Sequence, residues 1–321
     1  MIRSSLATDL SALEHIRPIR SAFVILAALS YPYAKHDVRA LLPLGLGLLF
    51  TAIADRGISL RRRVTSMAGA TIGITLGTAL GCAVSSNQFL HIATGGLVGL
   101  LCGLIGVASI PAMTSGVLTL VIFTIFSGSP IDLLEWKTNT VLMLLGGCIM
   151  IATVPVELGV RSLVKTTPKS TDELYRASFW DRSKIHFHWS DPFILHSIRL
   201  AVVIIVATTL EEFVNFPHSY WIPMTVAWIS KPDTDGTVDK VTRRVVGTLL
   251  GVAIAGTLIA ATPYSGAFAL IMIGIASYFV LAFLTPNYAI TTTGITVFVF
   301  SSSASLGFRW AARFLPALHR R

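Results

Sequence analysis

Across residues 64–131 the chain has no Asp, Glu, Lys or Arg, and across residues 245–308 it has none again. A charge in hydrocarbon costs kilocalories, so long uncharged tracts with charges banked at their edges read as membrane spans. Only 13% of the residues are charged, against about 25% in soluble domains, which excludes an ordinary soluble fold. The three cysteines, Cys82, Cys102 and Cys148, lie in apolar segments without CxxC or Cys/His spacing, and read as small buried hydrophobes. Residues 1–20 lack an apolar core followed by a small-residue cleavage site, so no signal peptide is expected there. Also absent are HExxH, GxSxG, GxxxxGK[ST] and a dinucleotide-binding glycine loop. That argues against an enzyme and against an ATP-driven pump in this chain.

What remains is apolar and basic. The 321 residues are 53% hydrophobic, with a mean hydropathy of +0.72 and a net charge of +9. The basic residues sit in short loops beside apolar segments, which fits the positive-inside rule and not nucleic-acid binding. Candidate spans are 20–34, 39–54, 64–84, 88–107, 110–127 and 138–158, then 193–210, 214–230, 245–262, 265–284 and 287–306. Pro111, Pro263 and Pro286 mark breaks between them. The expected fold class is all-α, a polytopic integral membrane protein. Its expected domains are an N-terminal transmembrane repeat over 1–160, a basic linker over 161–192 and a C-terminal repeat over 193–321.

Each uncharged tract is prefaced by arginines: Arg61, Arg62 and Arg63 before the first, Arg243 and Arg244 before the second. Arg20 and Arg199, Pro43 and Pro223, Gly69 and Gly247, Gly73 and Gly251, Pro111 and Pro286 all recur about 178 positions apart. Six spans in the first half and five in the second give two parallel repeats. Positive-inside bias places the N-terminus in the cytosol, with Arg56, the linker, Lys231 and Lys240. Asp132, Glu135, Lys137, Glu211 and Glu212 fall on the opposite side. An odd count sends the tail with Arg309, Arg313, Arg320 and Arg321 outside, against the rule. A miscounted span, an interfacial tail helix or a truncated chain would each explain it.

Glycine recurs every fourth residue at Gly69, Gly73, Gly77 and Gly81, and again at Gly247 and Gly251. Such a ridge lets another helix approach closely, the alternative being a groove that lines a substrate path. Short, proline-interrupted leading spans occupy corresponding places in both halves, a pointer to a transport site. The candidate path residues are Arg20, Arg199, Tyr220, Trp221, Pro223, Trp228, Lys231 and Asp233. Arg20 and Arg199 either snorkel to headgroups or attract an anion, one from each half. Tyr220, Trp221 and Trp228 either belong to an interfacial belt or stack on a ring. Asp55, Asp233, Asp235 and Asp239 are expected in salt bridges within polar turns, the alternative being a gate or proton-coupling role. His91 reads as a lone polar group satisfied by a neighbour. His186, His188 and Asp191 lack further ligands, so no metal and no cofactor are expected.

The run Tyr220-Trp221-Ile222-Pro223-Met224-Thr225, the turn Pro232-Asp233, and Arg243-Arg244-Val245-Val246-Gly247-Thr248-Leu249-Leu250-Gly251 resemble the fusaric acid resistance family of aromatic acid exporters. Asn287-Tyr288-Ala289 is similar to a later element of that family. The likeness covers about 195–305, and in the first half only Pro43, Asp55, Gly69 and Gly73 persist. It implies a bacterial inner-membrane exporter of aromatic carboxylic acids built from two six-helix halves. Related plant malate channels imply an alternative, a passive anion channel; a non-transporting membrane scaffold is a third reading. The family's large soluble region between the halves and the sixth helix of the second half have no counterpart here. The expected partners are the lipid bilayer and a small organic anion, with a periplasmic adaptor and oligomer formation left open.

Overall fold

The computed structural model describes residues 13–57, 59–128, 133–164, 191–214, 219–230, 234–261 and 266–305. They form helices and connecting turns, with no strand among the described residues. The first half supplies α1 (Ile16–Ala34), a short 3-10 turn (Val38–Ala40), α2 (Leu41–Ile53), α3 (Leu60–Val84), α4 (Gln88–Ile105), α5 (Ile110–Ser127), α6 (Leu133–Ala152) and α7 (Val154–Val164). The second supplies α8 (Pro192–Phe213), α9 (Trp221–Ile229), α10 (Thr234–Ala261), α11 (Gly266–Ala282) and α12 (Tyr288–Ser305). Of the linker expected over 161–192, residues 161–164 end α7, Asp191 caps α8 and Pro192 begins it; residues 165–190 with His186 and His188, the tail arginines, Lys231 and Asp233 lie outside the described residues.

Side chains that occupy orphan backbone N–H groups set several helix starts. Asn87 accepts from the Leu90 N–H at 3.0 Å and Ser109 from the Ala112 N–H at 3.2 Å, with Pro111 in the first turn. Asp191 accepts from the Phe193 N–H at 2.8 Å, and Asn287 from the Ala289 N–H at 2.9 Å. Gly57 takes a φ of +100°, which side-chain-bearing residues rarely adopt, in the turn between α2 and α3. The span expected over 138–158 is present within Glu135–Leu163 and is interrupted at Thr153, two residues before Pro155, which has no N–H to give the ladder.

The protein is a multi-pass membrane protein. Among the described residues, six helical stretches are long and apolar enough to cross a bilayer: Leu60–Val84, Gln88–Ile105, Ile110–Ser127, Glu135–Leu163, Pro192–Phe213 and Val238–Leu258. Their outward faces are apolar stripes at four-residue spacing, such as Ile72, Leu76 and Leu80 on α3, or Val202, Val206 and Leu210 on α8. Hydrocarbon is the solvent such a surface suits. The span expected over 214–230 is corrected: among the described residues it is helical only over the nine residues Trp221–Ile229. At 1.5 Å per residue that is about 14 Å, less than half the hydrocarbon thickness. The thirteen-residue α2 is also short, and residues 43–54 are all buried.

The helices gather into two compact units, Leu46–Val238 and the pair Met1–Gly45 with Asp239–Arg321. These units cut across the sequence division at 160 and 193. In the first, α8 of the second half packs along α4 of the first half. In the other, α1 of the first half packs along α11 of the second. Each unit therefore holds the leading helix of one half against the fourth helix of the other.

Candidate functional site

Within the unit Leu46–Val238, the start of α3 carries one polar cluster and its far end another, roughly 30 Å away by helix rise. At the start, Arg63 is wholly buried. Its Nε donates to Asp55 Oδ1 at 2.7 Å and its Nη2 to Asp55 Oδ2 at 2.6 Å. The same Nη2 donates to Glu157 Oε2 at 2.7 Å, and Arg161 Nε donates to Glu157 Oε1 at 2.6 Å. Two guanidiniums thus face two carboxylates. Charge balance and saturated hydrogen bonding are what let such a group leave water. The salt bridge expected of Asp55 is present, and it reaches beyond its loop to α7.

At the far end meet the start of α4, the ends of α5 and α8, and the start of α9. His91 is 1% exposed, and its Nδ1 lies 2.8 Å from Glu212 Oε1. Its Nε2 is 3.8 Å from Glu211 Oε2, too far for a hydrogen bond. Glu211 is buried, and neither carboxylate oxygen has a hydrogen-bond partner. Phe123 closes one side, its ring centroid 6.4 Å from that of His91. At Gly128 a Cβ would run into Tyr220 and Glu211 Oε1, so glycine there lets both approach. Among the described residues no Lys or Arg pairs with Glu211 or Glu212. Sequence reading treated His91 and the Glu211–Glu212 pair separately, since 121 positions lie between His91 and Glu212. The available signal was an acidic pair ending an apolar helix and a histidine one turn into another.

Of the expected path residues that are described, only Tyr220 borders this cluster, across Gly128. Tyr220 and Trp221 are half-buried at the start of α9, and Pro223 is buried. Trp228 is buried edge-on against Phe50 of α2, with ring centroids 5.8 Å apart. Arg199 is exposed, on the face of α8 turned away from the packed Ser197, Leu200 and Ile204. Arg20 lies on α1, in the other unit, where its Nη2 donates to Ser21 at 3.2 Å.

The glycine ridges are packing surfaces at most of their positions. Cβ atoms at Gly77 and Gly81 would come within 2.8 Å of the Thr119 and Phe123 carbonyl oxygens of α5, and one at Gly73 would strike the Thr119 hydroxyl. Gly69 meets nothing within 4 Å. In the second unit a Cβ at Gly247 would strike the Ala289 carbonyl, and one at Gly251 would lie 2.6 Å from Thr296 Cβ. Arg244 Nη1 reaches the Tyr288 hydroxyl at 3.5 Å. Two motif segments that carry the family resemblance, Arg244 to Gly251 and Asn287 to Ala289, thus form one seam between α10 and α12.

Residues 201–320 match the family described as fusaric acid resistance protein-like, which bears out the resemblance. An uncharacterized protein of Haemophilus influenzae is 30% identical over 136 residues, 41% of this chain and 18% of that protein. The inner membrane protein YccS of Escherichia coli is 27% identical over 123 residues, 38% of this chain and 17% of that protein. The uncharacterized membrane protein YvaC of Bacillus subtilis is 25% identical over 111 residues, 34% of this chain and 17% of that protein. The chain thus spans less than a fifth of the length of these three relatives. No solved structure matches.

Proposed function

Proceeding from a fusaric acid resistance-like region, we propose that this chain is the membrane part of a secondary exporter of aromatic carboxylic acids or similar amphipathic organic anions. The observation that carries the reading is the pair α2 and α9. Both are short and proline-bearing, and Pro43 and Pro223 stand about 180 positions apart, in corresponding places of two repeats. Discontinuous helices of this kind are tolerated in a bilayer where neighbouring protein satisfies their freed backbone groups, and transporters use them to build substrate sites. The recurring seams, Gly73 to Gly81 on α5 and Gly247 to Gly251 on α12, support a parallel duplication of six and five helices. In this reading the arginine-bearing turns face the cytosol of a bacterial inner membrane. Arg20 and Arg199, each within its own unit, draw the carboxylate electrostatically, and Tyr220 and Trp221 meet its ring.

The test is efflux of radiolabelled fusaric acid from proteoliposomes holding the purified protein. Flux above that of protein-free vesicles, falling by about tenfold or more when Arg20→Ala and Arg199→Ala are combined, is expected if those cations supply about 1.4 kcal/mol or more of attraction. Flux equal to that of empty vesicles across a panel of aromatic and aliphatic carboxylates would refute transport. Resolved single-channel currents in planar bilayers would indicate the passive channel instead.

A further inference from the structure

We propose that His91, Glu211 and Glu212 form a proton-binding site on the seam between α4 and α8, and that its loading drives the export proposed above. The ligand is one proton, because the site is one hydrogen atom short. A carboxylate accepts only, and a neutral imidazole carries one N–H. The 2.8 Å contact from Nδ1 to Glu212 Oε1 uses that N–H. Nε2 then turns a lone pair toward Glu211 Oε2 across 3.8 Å, and two lone pairs do not bind each other. One added proton resolves the opposition. On Glu211 it makes a hydroxyl that donates to Nε2; on His91 it makes an imidazolium that donates to both acids.

Burial makes this proton more than an accident of placement. The Glu211 side chain is 4% exposed, both its oxygens lack partners, and among the described residues no Lys or Arg pairs with it. α3 and α5 bring no charged residue to this end, because residues 64–131 hold none. α9 brings the Tyr220 phenol, and α8 brings the second acid, Glu212. Two carboxylates without a cation among the described residues differ from the Arg63 cluster, where opposite charges balance. An ionisable residue inside a membrane protein without a fixed counter-charge is a characteristic element of a proton relay.

Glu212, 22% exposed, is the entrance. A proton leaves hydronium at that edge and ends in a new N–H bond at His91 Nε2 or a new O–H bond on Glu211; Nδ1, already bearing hydrogen, stays bonded to Glu212. Release breaks the same bond and returns the proton to water. No group of three or more His, Cys, Asp or Glu among the described residues is placed to hold a metal ion, so a proton fits the site better than a metal cation. Loading also changes the force across the seam. The protonated pair attracts and draws Nε2 and Oε2 together; the unloaded pair repels.

Two measurements separate this inference from the transport reading on which its coupling role rests. Infrared difference spectra of the protein in nanodiscs, taken between acid and alkaline pH, should show a protonated-carboxyl band present at neutral pH. The band should be absent in Glu211→Gln and shifted in His91→Asn. Spectra of both variants superimposing on the wild type would overturn the site, whatever the flux. If Glu211→Gln does not fold, His91→Asn alone decides by its band.

In proteoliposomes with an imposed pH gradient, Glu211→Gln should lose gradient-driven movement of fusaric acid. Gradient-driven flux unchanged in that variant would overturn coupling and leave export standing. Absent flux in the wild type would refute export, while the infrared band would still report the proton site. Replacing sodium by potassium should change neither readout, and a band that depended on sodium would overturn the choice of ligand.

Discussion

A guanidinium removed from water is stable only while its acids stay with it. Arg63 depends on Asp55 and Glu157, and Glu157 also accepts from Arg161. Removing one member strands the charge of the others, at a cost of about 3–5 kcal/mol. Arg63→Ala should therefore lower the unfolding free energy by that amount, measured in detergent by denaturant titration. Arg62→Ala, on an exposed neighbour, should change it by less than about 0.5 kcal/mol. Sequence alone could not single out Arg63 from the Arg61–Arg63 knot, because it does not say which side of a helix start faces the bundle. The partner in α7 was hidden too, 94 positions away.

At the scale of the helix, the glycine repeat was legible as a packing ridge, and the contacts distinguish its members. Gly81→Ala would push a methyl onto the α5 backbone, where a carbonyl cannot step aside, and should destabilise by about 1–3 kcal/mol. Gly69→Ala meets open space and should be neutral, or stabilising by up to about 1 kcal/mol through helix propensity. Thermal unfolding of the two variants side by side checks the contrast. Helix positions were readable because uncharged length, prolines and capping residues are local signals. The weaker case was 214–230, where apolar composition suggested a full span. Pro217 and Pro223 stand close together there, and the described helix runs only from Trp221 to Ile229.

For the whole molecule, the feature that sequence could not show is the exchange of leading helices. Periodicity says which face of α4 must be covered, not which helix covers it. The covering helix is α8, whose Ser197, Ala201, Ile204 and Thr208 lie against Gly103, Gly99 and Gly95. A Cβ at Gly99 would sit 3.4 Å from Ala201 Cα, within range for a bridge. In a variant lacking native cysteines, Gly99→Cys with Ala201→Cys should keep the two halves joined after proteolysis at a site engineered between 165 and 190. Halves that separate on a non-reducing gel would undo the exchange. Orientation has its own check. Cysteines at Leu60 and Val238 should react with an impermeant maleimide from one side, and those at Phe89 and Phe213 from the other. Labelling of Leu60 and Val238 from opposite sides would remove the parallel arrangement.

The exchange also has a consequence for how the chain is made. On the ribosome α4 emerges about a hundred residues before α8, so the row Gly95, Gly96, Gly99 and Gly103 enters the membrane with its mate not yet synthesised. During that interval an insertase or a lipid tail must shield the groove, and a pause or stop codon after α7 would leave it bare. Nascent chains halted there should be degraded faster than chains that have already released α8.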